Sequence, residues 1–141
     1  MILLDTNHVS ILRMPPSERR TRLVERMTLA QDEAFAIPVI VVEETMRGWL
    51  AALAKERLAQ RQVAAYRELR SLFGFFATFH IAPFDRAAAD RFDSLHAAQI
   101  RVATRDLKIA AISLENNALL LTANRRDFEK VPGLRFENWL E

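Results

Sequence analysis

Short apolar runs of three or four residues, each separated from the next by a long stretch of helical character, constrain the fold of this chain more than any other feature. Ile2-Leu3-Leu4, Ala34-Phe35-Ala36-Ile37, His80-Ile81-Ala82-Pro83 and Ala118-Leu119-Leu120-Leu121 are four such runs. Bounded by polar residues, each reads as a short buried strand. Leu134-Arg135-Phe136-Glu137, after the Pro132-Gly133 turn, is a fifth candidate. The intervening segments read as helices. Thr6 to Leu12 begins one, stopped by Pro15-Pro16. Ser17 can cap the next, from about Glu18 to Gln31, with Leu23, Val24, Met27 and Ala30 on one face. Pro38 interrupts the second run and opens a helix that carries Val41 to Met46 towards Gly48. Leu50 to Arg70 reads as one long amphipathic helix, Asp85 to about Ile100 as another. Asp106 to Asn116 forms a further helix, ended by Asn116-Asn117. Strands joined by helical crossovers pair in parallel and need cover on both faces. The expected fold is therefore α/β, a three-layer α/β/α sandwich around a parallel sheet of four or five strands.

At 141 residues the chain has the length of one domain, and residues 1–141 are expected to form a single one. Half of its residues are hydrophobic, enough for a core. It has no cysteine, which excludes disulfides, thiolate metal sites and a cysteine nucleophile. Met1 to Asp5 lacks the basic region and the long apolar run of a signal peptide. No stretch approaches the roughly 18 uninterrupted apolar residues of a membrane helix, so no membrane association and a cytoplasmic location are expected. The net charge of +2 and the pI of about 9.5 permit contact with a polyanion without demanding it. Arg19, Arg20, Arg22 and Arg26 fall in one segment. Arginine suits phosphate through its planar fork, but a solvated helix face is the expected role of such a run.

In an open parallel sheet the active crevice lies beyond the carboxyl ends of the strands. Four acids fall there. Asp5 ends the first strand, Glu44 lies in the second turn of the helix after the second, Asp106 opens the helix into the fourth, and Asp127 follows the fourth. Carboxylates crowded into one crevice repel each other, and a hard divalent cation relieves that. Such a cation polarises a phosphodiester and activates water. Each acid also has an ordinary reading. Asp5 can cap a helix, Glu44 can be a surface residue, Asp106 can favour the helix dipole, and Asp127 can belong to a solvated turn. Glu43 competes with Glu44, but Glu44 shares a helix face with Gly48, which would leave room beside a carboxylate. Thr122 and Asn124 supply neutral oxygen and amide groups next to Asp127.

These residues carry a family resemblance. Leu3-Leu4-Asp5-Thr6-Asn7 resembles the opening motif of PIN domains, and Glu44-Thr45-Met46-Arg47-Gly48 their second. Asp106-Leu107-Lys108-Ile109-Ala110-Ala111 resembles the third, and Leu121-Thr122-Ala123-Asn124-Arg125-Arg126-Asp127-Phe128, continued by Val131-Pro132-Gly133-Leu134, the fourth. The motifs span the chain in the usual order, and the nearest likeness is to the VapC-type toxins of toxin–antitoxin pairs. The resemblance implies a PIN-like fold and an endoribonuclease dependent on Mg²⁺ or Mn²⁺, held inactive by a cognate small antitoxin. It implies Asp5, Glu44 and Asp106 as core metal ligands with Asp127 as a variable fourth, assisted by Thr6, Asn7, Thr122 and Asn124. Single-stranded or stem-loop RNA, tRNA included, is the implied substrate. The alternative is a catalytically inactive PIN-like module that binds RNA or protein, against which the intact acidic set argues. Two departures stand out: Gln99-Ile100-Arg101-Val102 lacks a glycine often found ahead of the third acid, and Arg105 precedes Asp106 where an apolar or small residue is common. The resemblance also implies a homodimer. Phe73, Phe75, Phe76 and Phe79, with Trp49 nearby, offer either surface for it or filling for the core.

Overall fold

The computed structural model describes residues 1–141. Its strands are β1 (Ile2–Leu4), β2 (Phe35–Pro38), β3 (His80–Ala82), β4 (Leu119–Leu121) and β5 (Arg135–Glu137). All four pairings are parallel, in the order β3-β2-β1-β4-β5. The first strand made is thus the central one, with Leu3 opposite Ala36 on one side and Leu120 on the other. Seven helices flank the sheet: α1 (Thr6–Arg13), α2 (Glu18–Leu29), α3 (Val39–Lys55), α4 (Ala59–Phe76), α5 (Arg86–Ala97), α6 (Thr104–Glu115) and α7 (Arg125–Phe128). The architecture is the expected α/β/α sandwich with a parallel sheet, here of five strands.

Burial follows the pattern of a sheet covered on both faces. Leu3, Leu4, Ala36, Ile37, Leu120 and Leu121 are all buried. The helix α6 is the most enclosed, burying Leu107, Ile109, Ala110, Ala111 and Ile112. Its one buried hydroxyl, Ser113, donates to the Ile109 carbonyl at 2.9 Å, so no polar group is stranded there. A full left-handed cap ends it: Asn117 has φ +47°, its N–H donates to Leu114 O at 3.1 Å, and the Ala118 N–H to Ser113 O at 3.0 Å.

Several expected boundaries shift, each for a physical reason. Pro38 does not interrupt its strand; it closes β2 and stands directly before α3, where a missing N–H costs nothing. The helix that follows does not stop near Gly48, and Leu50 to Arg70 is not one helix. Instead α3 runs to Lys55 and the chain breaks at Glu56 to Leu58 before α4. No proline or glycine marks that break. Gln62 Nε2 makes it, donating to Glu56 O at 2.7 Å and Leu53 O at 3.3 Å, while Glu56 Oε1 accepts from the Leu58 N–H at 3.1 Å. α2 stops at Leu29 rather than Gln31, and α5 at Ala97 rather than Ile100. Gln99, at φ +59°, turns the chain out of α5. The short helix α7 is a single turn, too short to leave a periodic signal in the sequence.

The arginine run stays largely at the surface, as expected, with Arg19 and Arg22 exposed, but it also makes specific contacts. Arg22 donates through Nε and Nη2 to Leu140 O at 3.2 and 3.1 Å. Arg26 lies 4.8 Å over the Trp139 ring. Arg20 donates to Leu12 O at 3.3 Å. Arg22 and Arg26 therefore clamp residues 139 and 140 to α2. The phenylalanines divide. Phe76 is buried, Phe75 and Phe79 pack partly buried beside it, and Phe73 is 66% exposed.

Candidate active site

The end of β1 places Asp5 at the C-terminal edge of the sheet, where extended backbone turns directly into α1. Both of its oxygens have partners: Oδ1 accepts from the Thr6 N–H and Oδ2 from the Thr122 hydroxyl, each at 2.7 Å. Asp5 therefore caps a helix and also lies in the crevice, so its two readings coexist. Asp106 enters from the first turn of α6, and Asn124 Nδ2 donates to its Oδ2 at 3.3 Å. Glu44 reaches in from α3, its Oε2 accepting from the Thr6 hydroxyl. Glu43, one residue earlier, is half exposed and pairs with Arg47 at 2.6 Å. Gly48 lies beside Glu44 along an adjoining hollow. A Cβ there would meet nothing within 4 Å, so space beside the carboxylate does not require glycine.

Asp5, Glu44 and Asp106 line one open cleft of about 430 Å³, together with Thr6, Asn7 and Asn124. Asp127 is not among the lining residues. It stands at the rim on α7, joined to Asp106 through Asn124, whose Nδ2 is 3.0 Å from Asp127 Oδ2. Thr122 is buried beneath Asp5 rather than facing the cleft. Asn7 Oδ1 accepts from His8 Nδ1 at 3.1 Å, which holds it at the cleft wall.

The electrostatics separate the four acids. Burial pushes the Asp5 carboxyl above its ordinary value, against the opposing hydrogen bonds from Thr122 and Thr6. Burial also raises Asp106, and the negative charge of Asp5 adds to it. Asp127 is lowered, first by the hydrogen bond from Asn124 and then by nearby positive charge, including Lys130. Two buried carboxylates that resist ionisation beside each other, with a third across the cleft, form a donor set suited to a hard divalent cation. All the anionic donors are oxygens. The acids do not stand closed into a ligand group, for no three acidic or histidine side chains are drawn tightly enough to hold an ion. A guanidinium stands among them instead: Arg105 Nη1 is 3.0 Å from Glu44 Oε1.

Six further residues line the cleft without having been assigned to the site from the sequence: Ser10, Ile11, Met14, Arg19, Arg105 and Leu140. Ser10 carries no signal beyond its helix, and Arg19 shows only as a member of the arginine run. Arg105 was visible only as a departure from a pattern.

A profile of the PIN domain matches residues 2–134, nearly the whole chain and all four acids. The chain belongs to the PIN domain family. A tRNA(fMet)-specific endonuclease VapC from Shigella flexneri is 29% identical over 143 aligned positions, covering 97% of this PIN domain chain and 96% of the relative. The protein of the same name from Salmonella typhimurium is 30% identical over 90 residues, covering 57% of this chain and 64% of the relative, a little under two thirds of its length. The crystal structure of DNA-bound VapBC from Salmonella typhimurium contains a chain 26% identical to this PIN domain, with a TM-score of 0.71 and coverage of 98% and 97%.

Proposed function

We propose that this PIN-domain protein is a divalent-metal-dependent endoribonuclease acting as the toxin of a toxin–antitoxin pair, with residues 1–141 as one catalytic unit. One observation carries the reading: Asp5 and Asp106, both buried and both pushed towards their neutral forms, share a cleft with Glu44. Burying carboxylates side by side costs stability, and a site that holds a cation recovers it. The relatives named tRNA(fMet)-specific endonucleases support tRNA as the substrate class, and the VapBC complex supports a small antitoxin as partner.

Asp5, Glu44 and Asp106 are the proposed ligands of Mg²⁺ or Mn²⁺, with Asp127 assisting from the rim. Bound there, the ion supplies charge to the phosphodiester and lowers the pKa of an attacking water. Thr122 and the Thr6 N–H fix the Asp5 carboxylate, and the Thr6 hydroxyl fixes Glu44. Asn124 spans Asp106 and Asp127 and sets their separation. These neutral donors preorganise the acids without neutralising them.

The test is cleavage of a labelled tRNA with Mn²⁺ or Mg²⁺. Activity should vanish with EDTA and in Asp5→Asn. That variant keeps the side-chain size and removes a charge that burial disfavours, so its melting temperature without metal should equal or exceed the parent's. Were Asp5 only a helix cap, Asn would serve about as well and activity would survive. A fully active variant, or activity indifferent to EDTA, overturns the proposal.

A further inference from the structure

We propose that the Arg105 guanidinium is the resident cation of the acid cleft, which an incoming divalent ion must displace from Glu44. The proposal rests on the metal-dependent reading above and adds to it a competitor built into the chain. Arg105 Nη1 lies 3.0 Å from Glu44 Oε1 on α3, and its Nε 4.0 Å from Asp106 Oδ1 on its own helix. It is the only cationic side chain paired with any of Asp5, Glu44 and Asp106; the other acid, Asp127, takes Lys130 at 3.6 Å instead. Arg19 lines the same cleft without forming an ion pair.

A second observation points the same way. Arg105 sits in the first turn of α6, next to the end where the helix dipole is positive. Local electrostatics disfavour a cation there. A residue that breaks a local rule marks a site where something else decides, and here the decision comes from the acids across the cleft. Half of the Arg105 side chain is exposed, so it can leave Glu44 without disturbing the core.

A divalent cation and a guanidinium in contact with the same Glu44 carboxylate repel each other at short range, so the two compete for it. Binding of the ion is therefore coupled to release of Arg105. The metal-free cleft is quieted by its own arginine, and the affinity for metal is lower than the acids alone would give. The released guanidinium then stands at the cleft with its fork free for a phosphate.

The test titrates the full-length, metal-free protein with Mn²⁺ by calorimetry. Arg105→Ala and Arg105→Gln should bind Mn²⁺ about three- to fivefold tighter than the parent, the range an exposed ion pair allows. The gain should shrink in about 1 M salt, where screening is strongest. Arg47→Ala, which removes the same charge from the solvent-exposed Glu43 pair, should bind like the parent. Metal-free Arg105→Ala should melt below the parent, and saturating Mn²⁺ should close the gap. Equal or weaker binding by both Arg105 variants, or the same gain in Arg47→Ala, overturns the proposal while leaving the metal site intact. Failure of the parent and every variant to bind Mn²⁺ overturns both readings.

Discussion

His8 shows how one side chain can connect remote parts of the chain. It is fully buried on α1, and its Nε2 accepts the Trp139 N–H at 3.2 Å. That contact leaves the proton on Nδ1, which donates to Asn7 Oδ1 at the cleft wall. Burial, followed by the charges of Arg19 and Arg26, pushes the His8 pKa down to about 4. The unfolded chain, with an ordinary imidazole, takes up the proton first as the solution is acidified. The contribution of His8 to stability is therefore complete above pH ~6.5 and is lost as pH falls towards 4, a difference of about 3 kcal/mol. Asp5 and Asp106 act in the opposite sense, since their raised values favour the folded state as pH falls. Urea unfolding of the parent and of His8→Gln across this range isolates the histidine. The parent should lose stability relative to the variant, and parallel curves would refute the assignment.

Among the elements, the turn after α5 carries the clearest local cost. Gln99 adopts φ +59°, a region where a side chain other than glycine is strained, while its N–H caps the helix at His96 O at 3.0 Å. Gln99→Gly should raise stability by about 0.5–1 kcal/mol, read as a higher urea midpoint with unchanged slope. No gain would mean that the glutamine side chain offsets the strain. The absence of glycine was legible in the sequence; its placement in a left-handed turn was not, because conformation at one residue leaves no periodic trace. The same distinction runs through the other elements. The strands were legible because three or four apolar residues between polar ones have few alternatives. The α3–α4 break was not, because Gln62 closes it from four residues beyond. Asp5 and Glu44 were legible by their positions after strand ends, and Asp106 by its place at the opening of an apolar helix. Arg105 as a partner of Glu44 was not, since 61 residues of sequence separate them and only the folded chain brings them to 3.0 Å.

For the whole molecule, one exposed apolar stripe runs along α4. Val63, Tyr66 and Phe73 are 48%, 56% and 66% exposed and stand three and seven residues apart, on one side of the helix. A second copy of the chain is the expected cover. Light scattering should report a dimer at micromolar concentration, and Tyr66→Arg with Phe73→Arg should report a monomer whose circular dichroism is unchanged. A monomeric parent would exclude this face as an interface.

The strand order also bears on how the molecule comes into being. Because β1 pairs with β4, the sheet centre cannot close until residues near 120 have been added. Asp5 likewise waits for Thr122 to hold its carboxylate, and for Asp106 to stand beside it. At about 5–20 residues per second of synthesis, roughly 5–20 s separate the emergence of the two aspartates. A prematurely terminated chain holds the first and second motifs and no cleft. The activity proposed above therefore begins only when two distant halves of the sequence have met, and a fragment stopped between them is inert.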